Sequence, residues 1–346
     1  MRALQYDEFG GRIRVVERPD PVAPPGGAVL RIARTGLCRS DFHGWRGHDS
    51  DTVLPCVPGH EFTGTVIEAP EDPALLGRRV IVPFVLACGT CSECTGGAAQ
   101  VCRAQRQPGF TDPGSFAEAL AIPQARVNTI PLPDAIDDDT AAALGCRVAT
   151  SWRALIGVGA LLPGERVLIL GAGGVGLAAV QIALGIGAQP IAADISRAAL
   201  GLAESLGAQP LNLSGDESAE EIAARVREIW RDGADLSMDA LGAPALAAGG
   251  VLALRRGGRH VQVGLLDQPR TELPLARIIA HELRVLGSHG MAAADYPALL
   301  TAIAEGRLDP GALVSDVLGL ASGADALMSM GDAGTARGIR LIDPAR

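Results

Sequence analysis

Cys88, Cys91, Cys94 and Cys102 follow the pattern C-x2-C-x2-C-x7-C, with Gly89, Gly96 and Gly97 between them. Four thiolates this close together can surround one ion tetrahedrally, and Zn2+ is the ion that takes such a shell. A closed shell of four sulfurs leaves no open position, so this metal would shape a loop and do no chemistry. Disulfides or a C-x2-C redox pair are the rival readings. The opening residues MRALQYDEF are too polar for a secretory signal, and a small disulfide scaffold does not run to 346 residues, so zinc is the favoured reading.

A second possible metal set is scattered over three segments: Gly36-Leu37-Cys38-Arg39-Ser40-Asp41-Phe42-His43, Pro58-Gly59-His60-Glu61 and Gly145-Cys146-Arg147. Cys38, His60 and Cys146 are each good zinc ligands. Two thiolates, one imidazole and a vacant fourth position make a catalytic zinc. Singly the three are weak signals, since a buried cysteine is usually a small hydrophobe. Nothing in their spacing shows that they meet.

The third chemical feature is a phosphate cradle. Arg166-Val167-Leu168-Ile169-Leu170 leads directly into Gly171-Ala172-Gly173-Gly174-Val175-Gly176, a G-x-G-x-x-G between a strand and a helix. Gly171 permits the tight turn, Gly173 lets the backbone approach a pyrophosphate, and Gly176 lets the helix pack on the strand. The helix start at Gly174 and Val175 would offer free N–H groups and the positive dipole end to the phosphates. Asp194 closes the next apolar run, where a carboxylate bonds the ribose hydroxyls of NAD and repels the extra phosphate of NADP. Its rival reading is a cap for the helix that begins near Arg197. Arg197 is also placed to meet a 2′-phosphate.

These groups need elements to position them. Residues 1–150 are rich in short β-like runs broken by Pro and Gly, such as 28–33, 63–68 and 79–82, which suggests an antiparallel, barrel-like domain. From about 165 the chain alternates apolar strands, expected at 166–170, 190–194, 209–213, 234–239, 259–264 and 283–287, with helices such as 174–187, 197–206 and 217–231. That alternation implies βαβ units and a six-stranded doubly wound parallel sheet, an α/β nucleotide-binding domain over 151–287. Residues 288–346, with a helix near 295–306, would return to the first domain. At 48% hydrophobic and 20% charged, the chain can bury large cores. A net charge of -9 argues against nucleic acid and anionic membranes as partners. The apolar stretch 167–193 is interrupted by its glycines and does not read as a membrane span. Seven cysteines, six of them in the two metal sets, fit a reducing cytoplasm.

Taken together, these motifs resemble the zinc-dependent medium-chain alcohol dehydrogenase family, which carries a C-x-[ST]-D-x-H segment, a G-H-E segment, a four-cysteine lobe, a third zinc ligand and G-x-G-x-x-G in this order. The match spans nearly the whole chain. It implies a GroES-like catalytic domain, a Rossmann domain, one catalytic and one structural zinc, and NAD. It also implies hydride transfer between an alcohol and NAD, giving an aldehyde or ketone reversibly. A C=C or C=N reductase of the same fold is the alternative, and a non-enzymatic use of the fold a third. By resemblance Cys38, His60 and Cys146 are the catalytic ligands, and Glu61 is a carboxylate that can approach the metal. Asp41 orients the histidine, Ser40 bonds the substrate oxygen, and His43 ends a proton relay reached through the nicotinamide ribose. Arg39 and Arg340 resemble pyrophosphate contacts, and Thr150 a nicotinamide contact. Trp45 and Phe84 resemble walls of the substrate pocket. Cys56 reads as a packing thiol, while His48, His260, His281 and His289 receive no role. The substrate would be a small alcohol or carbonyl compound, and the family implies a homodimer or homotetramer joined through the nucleotide-binding domains.

Overall fold

A computed structural model describes residues 1–266, 270–331 and 338–346. They form two compact units, Met1–Ala149 with Gly290–Arg346, and Thr150–His289. Thr150, Ser288 and His289, outside the nucleotide-binding segment expected from sequence, belong to the second unit. Among the described residues no helix is long and apolar enough to cross a membrane.

The second unit is built on one six-stranded parallel sheet in the spatial order Gln209–Asn212, Gln189–Asp194, Arg166–Leu170, Ala234–Asp239, Leu254–Gln262, Arg284–Gly287. In chain order this is 3-2-1-4-5-6, the doubly wound nucleotide-binding arrangement. Strands covered on both faces read as continuous apolar runs, and Val167, Leu168, Ile169 and Leu170 are completely buried. Two elements of this unit differ from the sequence reading by more than one residue at an end, each for a local reason. The helix expected over 217–231 spans Ala219–Ile229. Ser218 and Glu221 cap it reciprocally, and Glu217 turns back to accept from the amides of Ser214 and Gly215 at 2.7 and 2.9 Å. The strand expected over 259–264 runs Leu254–Gln262. It leaves the sheet where the amides of Val263 and Gly264 both turn to the Asp239 carbonyl, at 3.0 and 2.9 Å.

The first unit is organised by the long strand Ala28–Leu37. It pairs antiparallel with Phe62–Glu68, Ala119–Ile122 and Ile339–Asp343, and register shifts along it bend the sheet. Arg79–Val82 and Ile130–Pro131 continue the sheet on one side, and Val314–Gly319 joins Ile339–Asp343 in parallel on the other. The last segment of the chain therefore completes the first unit's sheet. Leu30, Ile32, Phe62, Val66, Val80, Val82 and Ile122 fill its core.

Register in this sheet sets two loops side by side. Thr35 pairs with Phe62, and the Gly36 amide donates to the Glu61 carbonyl at 2.7 Å. The residues that follow Leu37 and those that precede Phe62 are thus neighbours by strand pairing. These are Cys38 and the His60-Glu61 pair.

Candidate metal centres and cofactor loop

Cys38 stands at the junction of strand Ala28–Leu37 and the short helix Arg39–Trp45. The buried Asp41 carboxylate reaches back from the first turn of that helix. One oxygen accepts from the Cys38 amide at 2.9 Å. The other accepts from the Gly59 amide at 3.0 Å and pairs with His60 Nδ1 at 2.9 Å. A carboxylate accepts only, so Nδ1 carries the hydrogen and the lone pair of the neutral ring lies on Nε2. That Nε2 is buried and has no hydrogen-bond partner among the described residues. The ligand atoms of Cys38, His60 and Cys146 all lie within 4.8 Å of one another, and all three residues are buried. Donation from Cys146 holds Cys38 well below the usual thiol range, and the same contact raises Cys146. An orphaned imidazole nitrogen close to two thiols is a donor set that fits one Zn2+ with a vacant fourth position.

Glu61 does not stand free beside this set. Both of its oxygens are taken by Arg147, the residue after Cys146: the Arg147 amide donates to Oε1 at 2.7 Å, and Nε and Nη2 both donate to Oε2, the former at 2.7 Å. The approach of Glu61 to the metal expected from the resemblance is therefore blocked in this arrangement. Sequence reasoning passed over Arg147, although a cation directly after a metal ligand was a visible signal.

Ser40 is the second residue of its helix and not a cap, and its Oγ lies 3.8 Å from Cys38 Sγ. His43 is half-buried, and its Nδ1 is 3.1 Å from Nδ1 of exposed His48, a residue left without a role by the sequence. Burial, followed by the charges of Arg39 and His48, holds His43 below the ordinary imidazole value against the opposing pull of Cys38 and Asp49. Phe84 meets the His60 ring edge-on with centroids 6.0 Å apart, and Phe110, which the sequence did not single out, lies closer at 5.3 Å. Trp45 requires correction. It packs in a core with Leu4, Tyr6, Ile13 and Leu37, and its indole N–H donates to the Gly11 carbonyl at 2.7 Å. A side chain anchored there fills the interior and is not a pocket wall. Cys56 lies in the same core, its thiol on the Gly109 carbonyl at 3.3 Å.

The four-cysteine lobe converges fully. Cys91 Sγ is 3.4 Å from Cys94 Sγ and 3.6 Å from Cys102 Sγ, and Cys88 and Cys94 are 3.9 Å apart. All are free thiols. Four sulfurs bound to zinc at about 2.3 Å stand roughly 3.8 Å from one another. The observed spacings match that tetrahedron and not a disulfide. Amides help to prepare it: the Thr90 and Cys91 N–H groups bring Cys88 down to about 5.

In the second unit Gly171 leaves the strand at φ 95°, a value L-residues resist. A Cβ on Gly176 would overlap the Gly171 carbonyl oxygen, whereas one on Gly173 would meet nothing. The open side at Gly173 is the space a pyrophosphate needs, and helix Gly174–Ile186 begins there. Asp194 is not a cap; Ser196 fills that role, accepting from the Ala199 amide at 3.3 Å. Asp194 instead accepts from the Ala172 and Ser196 amides at 2.7 and 2.8 Å, which ties the second strand to the glycine loop. A cleft of about 170 Å³ opens here, lined by Gly171, Asp194 and Glu217 and walled by the exposed side chains of Ile195 and Leu241. Arg197 is exposed. Thr150 is buried with its hydroxyl unpartnered among the described residues. Arg39 is exposed at the start of its helix, and Arg340 lies on strand Ile339–Asp343 with its guanidinium 3.9 Å from Asp316.

The profile of the alcohol dehydrogenase GroES-like domain matches residues 24–134, and that of the zinc-binding dehydrogenases matches 174–305. An L-threonine 3-dehydrogenase of Streptomyces coelicolor is 31% identical over 354 residues, covering 99% of this chain and 98% of the relative. A sorbitol dehydrogenase of Halalkalibacterium halodurans is 30% identical over 91% of this chain and 92% of its own length. The chain belongs to the zinc-dependent medium-chain alcohol dehydrogenase family. The solved alcohol dehydrogenase TADH from Thermus sp. ATN1 superimposes with a TM-score of 0.90 at 32% identity, covering 99% of each chain.

In this dehydrogenase the two metal sets differ in kind, one closed and one open. Elemental analysis of protein purified from zinc-replete medium should find two zinc ions per chain. A chelator should remove activity before it unfolds the protein, because the open site exchanges more readily. One zinc, or loss of fold and activity in step, would contradict the two-site assignment.

Proposed function

We propose that this dehydrogenase oxidises primary or secondary alcohols with NAD and, in reverse, reduces the corresponding aldehydes or ketones. The observation that carries the reading is the convergence of Cys38, His60 and Cys146 around an orphaned His60 Nε2, with the Ser40 hydroxyl beside Cys38. When bound, zinc supplies Lewis acidity that makes an alcohol acidic near neutral pH, and NAD supplies the hydride acceptor. The chain's own groups handle the rest. Cys38, His60 and Cys146 are the catalytic ligands, with Asp41 fixing the His60 tautomer. Ser40 Oγ accepts the proton of the substrate hydroxyl as its own hydroxyl proton passes outward, to be taken up by His43 at the solvent side. His43 is the base that stores a proton at the solvent side: its Nδ1 lies 3.1 Å from His48 Nδ1, and in the tautomer that donates there its Nε2 keeps a lone pair. Cys88, Cys91, Cys94 and Cys102 hold the structural zinc.

For the cofactor, Gly171, Gly173, Gly174, Val175 and Gly176 cradle the pyrophosphate, Asp194 receives the adenosine ribose, and Arg197 flanks it. Arg39, Arg340 and Thr150 are the further cofactor contacts. Phe84 and Phe110 beside His60 favour alcohols with apolar substituents over polyols. The intact ligand set with Ser40 and His43 favours this chemistry over reduction of C=C or C=N bonds. Self-association through the nucleotide-binding unit, as a homodimer or homotetramer, is supported by its exposed edge strand Arg284–Gly287 and by Leu275 and Ile279, 66% and 78% exposed on the helix beside it. Seven free thiols suit a reducing cytoplasm. A panel of primary, secondary, allylic and polyol alcohols, read by absorbance of the reduced cofactor, tests the reading; no turnover with any of them would refute it.

Cofactor choice rests on Asp194. NAD should be favoured over NADP in kcat/KM, and Asp194→Ala should shrink the gap, because the carboxylate meets a hydroxyl in one case and a phosphate dianion in the other. A wild-type enzyme that prefers NADP would contradict this.

The proton path has an order that kinetics can read. Cys38→Ser should abolish turnover and Ser40→Ala should come close to doing so. His43→Gln should cost about ten- to a hundredfold, and less at high pH, where hydroxide and buffer can take the proton. The depressed His43 pKa keeps this base neutral at pH 7, and activity should fall as pH drops through that pKa. In His48→Asn the neighbouring charge is gone, the His43 pKa rises, and the acid limb of the profile should move to higher pH. Full activity in Ser40→Ala, or an unmoved limb in His48→Asn, would show that the proton leaves by another route.

A further inference from the structure

Arg147 touches the surroundings of all three open-site ligands. It follows Cys146 in the chain. It grips Glu61, the neighbour of His60, through its amide, Nε and Nη2. Its Nη1 donates to the carbonyl of Leu37, the neighbour of Cys38, at 3.1 Å. Glu61 is wholly buried and Arg147 is 5% exposed. Room for the pair is left by Gly36, where a Cβ would overlap Glu61 Oε2 and press on Arg147 Nη2.

A carboxylate next to a zinc-binding histidine is itself a good zinc ligand. If Glu61 took the fourth position, no substrate oxygen could enter it. A buried carboxylate without a partner is costly, so an unclamped Glu61 would turn to the nearest cation. We propose that Arg147 is a positioning residue whose two-pronged grip holds Glu61 off the metal and so reserves the fourth coordination position for substrate. The inference rests on the metal-site reading given above. Arginine is the residue suited to this task, because its planar fork fixes a carboxylate in orientation as well as in charge.

The test uses the full-length protein loaded with cobalt in place of zinc, whose visible absorption reports coordination geometry, and imidazole as the probe of an open position. In the wild type, imidazole should shift part of the band saturably, and Cys38→Ser should abolish that imidazole-sensitive part. In Arg147→Met the band should differ before any addition, and apparent imidazole affinity should fall about tenfold or more. Arg147→Met/Glu61→Gln, which removes both charges, should recover the response. It also serves if the single variant does not fold. Arg147→Lys, which keeps the charge and loses the fork, should show a smaller loss. A wild-type response in Arg147→Met, no recovery in the double variant, or a wild-type response in Arg147→Lys would each overturn the proposal. An imidazole-sensitive band that survives Cys38→Ser would overturn the metal-site reading itself, and the proposal with it.

Discussion

One carboxylate joins the parts of the open site. Asp41 accepts from the Cys38 amide, the Gly59 amide and His60 Nδ1, so it fixes the backbone before one ligand and the tautomer of another. Strand register brings the two loops together, but register alone does not orient an imidazole. With Asp41 in place the His60 lone pair has one direction left, toward the sulfurs of Cys38 and Cys146. The arrangement shows why a protein builds metal centres from second-layer groups as much as from ligands.

The region around that lone pair is buried and rich in ionisable groups. Beside the Cys38 and Cys146 sulfurs lie the buried carboxyl groups of Asp41 and Glu61, with the buried Arg147 guanidinium on Glu61. Buried charge of one sign is not tolerated without compensation. Zinc, when bound, would compensate the thiolates of Cys38 and Cys146, and Arg147 compensates Glu61. The four-cysteine lobe solves a different problem with the same chemistry. Its thiols sit at tetrahedral spacing in a loop with little apolar material of its own, where a metal replaces a core.

Much of this was legible in the sequence, and the rest was not for identifiable reasons. The four-cysteine set and the glycine loop are local motifs, and both read directly because spacing along the chain is spacing in space. The six parallel strands were legible because doubly covered strands are continuous apolar runs; their ends moved where an amide chose a turn, as at Val263 and Gly264. The meeting of Cys38, His60 and Cys146 depends on strand pairing far apart in the chain, which no local pattern carries. Trp45 was misplaced because an aromatic near a site motif looks the same whether it faces a pocket or a core, and only its bond to Gly11 decides. Phe110 and His48 were invisible because their significance lies wholly in what they touch, the His60 ring and the His43 ring. Arg147 was in plain sight beside a ligand, but its partner is Glu61, a residue eighty-six positions away.

The central claim is that the chain holds one closed four-sulfur metal centre and one open centre of two sulfurs and a single nitrogen. X-ray absorption at the zinc edge of the fully loaded protein measures this directly. With four sulfurs at one site and two at the other, the average shell should contain three sulfurs at about 2.3 Å, the remainder being nitrogen or oxygen at about 2.0–2.2 Å. Removal of the more labile zinc should leave a shell of sulfur alone. An average shell poorer in sulfur, or nitrogen and oxygen persisting after the labile zinc is gone, would contradict the account.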